Sequence, residues 1–125
     1  MTVVVPARPT AADINAHFAR LDTELFALGR YAAIVDARLL SGEDFTADLR
    51  QLVSQRYQEF KGRFSRFAIS EANVLDSPLQ RGVLTAIHWV APPPWETKTF
   101  SALDEAERWS LERLAAAGRA GLLDH

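Results

Sequence analysis

Asp36, Ser41, Asp44 and Thr46 place two carboxylates and two hydroxyls in one short stretch, directly after the apolar run Tyr31-Ala-Ala-Ile-Val35. Two readings fit it. In the structural one, Ser41 makes a turn with Gly42 and Asp44 caps the helix that follows. In the functional one, the stretch is a docking or phosphoacceptor loop, where a phosphate on Thr46 would lie in the favourable field of a helix N-terminus. A second group is Ser77, Arg81, Trp89 and Trp95. Arg81 can hold a carboxylate or phosphate in a bidentate contact. Trp89 and Trp95 flank Pro92-Pro93-Pro94 and can form either an apolar contact patch or a packing cluster.

Little else in the chain has the spacing that chemistry requires. His17, His88 and His125 have no second ligand-type residue at metal spacing, so no metal site is expected. Gly29, Gly42, Gly62 and Gly82 are isolated, which leaves no phosphate-cradling loop, and no G-x-S-x-G elbow occurs. There are no cysteines, so disulfides, thiolate metal sites and thiol nucleophiles are excluded together. No catalytic residue and no cofactor are expected. An enzyme working through Asp36 or Asp44 as a base would need a carboxyl raised by burial.

With 125 residues the chain is expected to form one domain, 1–125, and 48% hydrophobic with 24% charged residues is ordinary globular composition. A formal charge of -2 is unlike that of a typical nucleic-acid binder. Arg56, Lys61, Arg63 and Arg66 interleave with Phe60, Phe64 and Phe67, but helical spacing turns those rings inward and leaves a solvated basic face. No export signal is visible and no apolar run is long enough to span a bilayer, so a cytoplasmic protein without membrane insertion is expected.

Elements that would position these residues follow from periodicity. Val3-Val4-Val5, stopped by Pro6, predicts an edge strand. Thr10-Ala-Ala-Asp13 predicts a capping box, and Ile14, Phe18, Leu21, Leu25 and Leu28 give a helix over roughly 11 to 28, with Gly29 as its stop. Residues 31 to 35 predict a strand covered on both faces, and Phe45 to Phe64 a second helix. Phe67-Ala-Ile69 is a short strand, and Ser77-Pro-Leu-Gln80 opens a helix that the three prolines end. Lys98-Thr-Phe100 is the last strand and Ser101-Ala-Leu-Asp104 opens the last helix. This alternation predicts an α/β fold with a four-stranded, mostly parallel sheet and about four helices.

Tyr31-Ala-Ala-Ile-Val-Asp36, Ser77-Pro-Leu-Gln-Arg-Gly-Val-Leu-Thr-Ala-Ile87 and Thr99-Phe-Ser-Ala-Leu-Asp-Glu-Ala-Glu-Arg-Trp109 resemble the STAS superfamily. The specific likeness is to its SpoIIAA-like branch of small bacterial domains, related in fold to Sec14 lipid carriers. The resemblance implies a SpoIIAA-like fold and a non-enzymatic, regulatory protein-interaction module with an unidentified protein partner, and a homodimer is compatible with it. Anti-sigma-factor antagonists of this superfamily carry Asp-Ser-Ser-Gly before the second helix, with the second serine phosphorylated. Asp44-Phe45-Thr46-Ala47 occupies that place; Asp44 matches, Thr46 supplies a hydroxyl, and Phe45 and Ala47 depart. The likeness to Sec14 implies the alternative, a carrier or sensor of a small apolar or anionic ligand, although so short a chain is expected to enclose little volume.

Overall fold

The computed structural model describes residues 1–41 and 45–123; Asp44 and His125 lie outside them. The chain runs β1 (Thr2–Val4), α1 (Ala11–Arg20), a π turn and a 3-10 turn (Leu21–Leu25, Phe26–Leu28), β2 (Tyr31–Asp36), α2 (Ala47–Glu59) and α3 (Lys61–Phe67). It continues through β3 (Ala68–Val74), α4 (Pro78–Val90), β4 (Glu96–Phe100) and α5 (Leu103–Leu123). The expected alternation is therefore present, with five α-helices among the described residues in place of about four because the helix expected from Phe45 to Phe64 is two.

All four strands are parallel, in the order β1-β2-β3-β4. Each strand pairs with its predecessor, so crossovers of one hand, all stepping in one direction, place their helices on a single face. The packing agrees: α2 lies against both α1 and α4, while α5 lies against β2, β3 and β4. Alternation within β2 divides the core accordingly. Tyr31 and Ala33 join Ile14, Phe18, Phe64, Val83 and Ile87 on the three-crossover face, and Ile34 joins Ala72, Val74 and Ala106 beneath α5.

The local signals act as their chemistry requires. Thr10 Oγ1 accepts from the Asp13 amide at 3.2 Å while Asp13 Oδ2 accepts from the Thr10 amide at 2.9 Å, a complete capping box. Gly29 takes φ of 97°, a conformation that L side chains rarely adopt, and ends the first helical stretch. Phe60, Phe64 and Phe67 do turn into the core, and the Arg63 guanidinium lies over the Phe60 ring at 4.1 Å and pairs with Asp22.

Gln80 fastens the loop after β2 to the start of α4. Its Oε1 accepts from the Asp76 amide at 2.9 Å, and its Nε2 donates to the carbonyls of Arg38 at 3.1 Å and Leu40 at 3.0 Å. Replacing it with leucine strands three backbone groups. We expect Gln80→Leu to lower stability by about 2 kcal/mol, measured by urea unfolding; no change would mean that those groups find other partners.

One element is longer than its residues suggest. The strand expected at Phe67-Ala-Ile69 runs to Val74, through Ser70, Glu71 and Asn73, all buried. Three polar residues hide it from a hydrophobicity pattern, yet it lies between β2 and β4 in the middle of the sheet.

Candidate functional site

Between the sheet and the helices of the three-crossover face lies a cavity of about 590 Å³. Val3 and Val5 form one side, Ile14 and His17 of α1 with Leu21 of the π turn another, and Val83 and Ile87 of α4 a third. Leu40 and Phe45, from the loop after β2, also line it. Exposed Asp13, Arg20 and Glu24 border its opening.

Besides His17, Tyr57 and Gln80, the polar groups in the depth of this space are Glu71 and Asn73 of β3. Strand geometry sends positions two apart to the same face, so Glu71 and Asn73 both point into the cavity. They are 5% and 2% exposed. Burial pushes the Glu71 carboxyl up to about 7, partly offset by the nearby Asn73 amide and Trp95 indole, which favour its charged form. Asn73 Nδ2 and Trp95 Nε1 are enclosed, and among the described residues they have no hydrogen-bond acceptor other than this carboxyl. Tyr31 and Tyr57 are both raised above the ordinary tyrosine range, first by burial and then by the charge of Glu71. On α1, burial and then Arg20 lower His17 below its usual value, favouring the neutral imidazole.

Of the residues singled out by sequence, Trp95 adjoins Glu71, Asp44 lies outside the described residues, and Asp36, Ser41, Thr46, Ser77, Arg81 and Trp89 do not line the cavity. Asp36 is held by Arg38, whose Nε donates to Oδ1 at 2.9 Å and whose Nη2 donates to Oδ2 at 2.8 Å. Those hydrogen bonds hold the Asp36 carboxyl below its ordinary value, opposite to what a general base at neutral pH requires. The Ser41 amide donates to the Ala7 carbonyl, and Thr46 Oγ1 caps α2 by accepting from the Leu49 amide at 3.3 Å. Ser77 Oγ caps α4 by accepting from the Gln80 amide at 3.2 Å, and Arg81 is exposed in the first turn.

The two tryptophans are not brought together. Trp89 is 81% exposed, whereas Trp95 is buried with its ring 5.0 Å from Phe64 and 5.9 Å from Tyr57, centroid to centroid. A sheet whose order never reverses has no switch point between oppositely placed helices, so no crevice of that kind opens beyond Asp36. The large open space lies under the helices instead.

Sequence reasoning passed over Glu71 and Asn73 because it ended the third strand at Ile69. The signal was present: in Ser70-Glu-Ala-Asn-Val74, a strand reading places both polar residues on one face. Among the described residues no group of acidic or histidine side chains is arranged to hold a metal ion, and no helix is long and apolar enough to cross a membrane. Compared with protein-family models, curated proteins and solved structures, the chain matches none.

Proposed function

We propose that the chain is a non-enzymatic binding module of STAS-like architecture that takes a small, mostly apolar molecule into the cavity under α1, acting as its carrier or sensor. The cavity carries this reading. Its volume falls within the range of small-molecule sites, and a few polar groups set in apolar walls are the usual lining of such sites. The cavity is open at one side, where exposed Asp13, Arg20 and Glu24 border it, so it is not a sealed dry void. Solvent or a ligand must therefore fill it, and apolar walls favour the ligand over water. The alternating β and α elements support the STAS-like assignment, and the size of the cavity supports the likeness to lipid carriers over an anion site at the exposed Arg81.

A second reading, docking of a protein partner on the loop from Arg38 to Thr46, is favoured by one observation. Leu40 and Phe45 line the cavity while Leu39 between Arg38 and Leu40 is exposed, so the loop touches both the contents and the surface. This makes a sensor as natural as a carrier.

The test is displacement of an environment-sensitive apolar dye by decane and decanol, with native mass spectrometry to count bound molecules. We expect one saturable site per chain, and Val53→Phe, which narrows the cavity, to weaken binding about tenfold, or 1.4 kcal/mol. Absence of saturable binding by dye, decane and decanol alike would overturn the reading.

A further inference from the structure

The two edges of the sheet differ in how they are guarded. We infer that the free edge of β1 pairs with the same edge of a second copy of this chain, antiparallel about a two-fold axis at Val3, joining two four-stranded sheets into one of eight. Alternate residues of β1 make its parallel ladder with β2: the Ile34 amide donates to the Met1 carbonyl at 2.7 Å, and the Val5 amide donates to the Asp36 carbonyl at 2.8 Å. The amides and carbonyls of Thr2 and Val4 therefore point away from β2, along an edge that no other strand covers among the described residues. Both residues are exposed. Such a row of backbone groups is a template for another strand unless charge, a bulge or a covering element guards it. Thr2-Val3-Val4 carries no charge, whereas β4 at the opposite edge carries Glu96 and Lys98.

A second copy fits because the strand is complementary to itself. Set antiparallel about Val3, Thr2 of one copy faces Val4 of the other, and each such pair satisfies its outward amides and carbonyls reciprocally. Val3 then meets Val3 in the closely spaced, non-hydrogen-bonded position, where β-branched side chains pack well. On the opposite face Val4, 57% exposed beside the strands that α5 packs against, is covered by Thr2 of the second copy. No like charges meet at this axis, whereas β4 paired in the same way about its middle residue would set Lys98 against Lys98. Area sets the strength. Exposed Met1 and Leu28 border the cavity with Thr2 and Val4, so the second copy covers only a small apolar patch around a short ladder. That area is far below what an obligate dimer buries, which implies a reversible dimer with a Kd on the order of 10 µM. The second copy stands beside the cavity opening, but the pairing does not depend on what the cavity holds.

Sedimentation equilibrium of the full chain from about 1 to about 300 µM reads the association, and a monomer–dimer equilibrium centred on the order of 10 µM is expected. Val4→Pro removes only the outward amide of Val4, and Val4→Lys puts a charge on the edge; both leave the ladder to β2 in place. Each should weaken dimerisation about tenfold or more, with circular dichroism and urea unfolding showing that the variants are folded. Register is read by cross-linking. The chain has no cysteine, so mild oxidation of Val3→Cys should join two copies through a disulfide, because residues facing each other in that position lie within disulfide reach. Thr2→Cys should not cross-link, since its symmetry mate lies two positions along the partner strand from the residue it faces. A chain that stays monomeric over the whole range, or a dimer unaffected by both Val4 variants, would overturn the inference. So would cross-linking through Thr2→Cys but not Val3→Cys, or a dimer lost only in Trp89→Ser, which would place the contact on the exposed face of α4.

Discussion

Between about pH 4.5 and 7 the stability difference between the protein and its Glu71→Gln variant should shift by about 3 kcal/mol, with the unaltered protein losing ground as the pH rises. The sign follows from the direction of the shift. In the unfolded chain Glu71 ionises near its ordinary value of 4.5, whereas in the fold burial holds its proton up to about 7. Across that window the folded state binds the extra proton, so adding base favours unfolding; below it the contribution is fully present, and above it lost. Glutamine fills the same space without titrating. The comparison must be made as a difference because His17 and His88 are lowered by burial and act in the opposite direction, costing stability as the pH falls below the ordinary histidine value. Thermal unfolding at several pH values reads the effect as a relative shift of roughly 10 °C. A flat difference curve would mean that the Glu71 carboxyl is hydrated rather than enclosed.

Phe64→Ala is expected to remove about 4 kcal/mol, the largest loss from any single truncation considered. Phe64 is 3% exposed and its ring meets Trp95 at 5.0 Å, Tyr57 at 5.5 Å, Phe26 at 5.7 Å and Phe60 at 6.0 Å. Truncation removes the buried apolar area and the edge-to-face contacts together, and several rigid rings cannot collapse far into the space left behind. Phe64→Leu keeps most of the volume and should cost about 1.5 kcal/mol or less. Urea unfolding of both variants measures the difference. A loss below about 1 kcal/mol for the alanine variant would show that the cluster repacks freely. The cluster also matters to the site, because Tyr57 and Trp95 stand between Phe64 and the Glu71 carboxyl.

Much of the frame was legible from residue order because its signals are local. The Thr10 capping box, the Gly29 stop and the proline at the start of α4 act within one turn of chain, and all three function as their chemistry suggests. The β2 run was legible for a related reason, since a strand covered by helices on both faces is apolar throughout. β3 was hidden because its middle carries Ser70, Glu71 and Asn73. Pattern reasoning assumes that polar residues face water, and a polar-lined cavity is where that assumption gives way. The residues that did stand out, such as Thr46 and Ser77, proved to be helix caps, a role that hydroxyls at those places share with many proteins.

Periodicity and turn chemistry by themselves determined that strands and helices alternate along this chain, and therefore that its sheet is mostly parallel, because parallel neighbours need a crossover and each helix supplies one. Only the tertiary structure decided that the strands follow one another across the sheet in chain order, that three crossovers share one face, and that this layer leaves about 590 Å³ above Glu71 and Asn73. The physical reason is range. Caps and periods are set by neighbours a few residues apart, whereas the cavity depends on how far α1 stands from β1 and on which way a buried strand turns its two polar side chains.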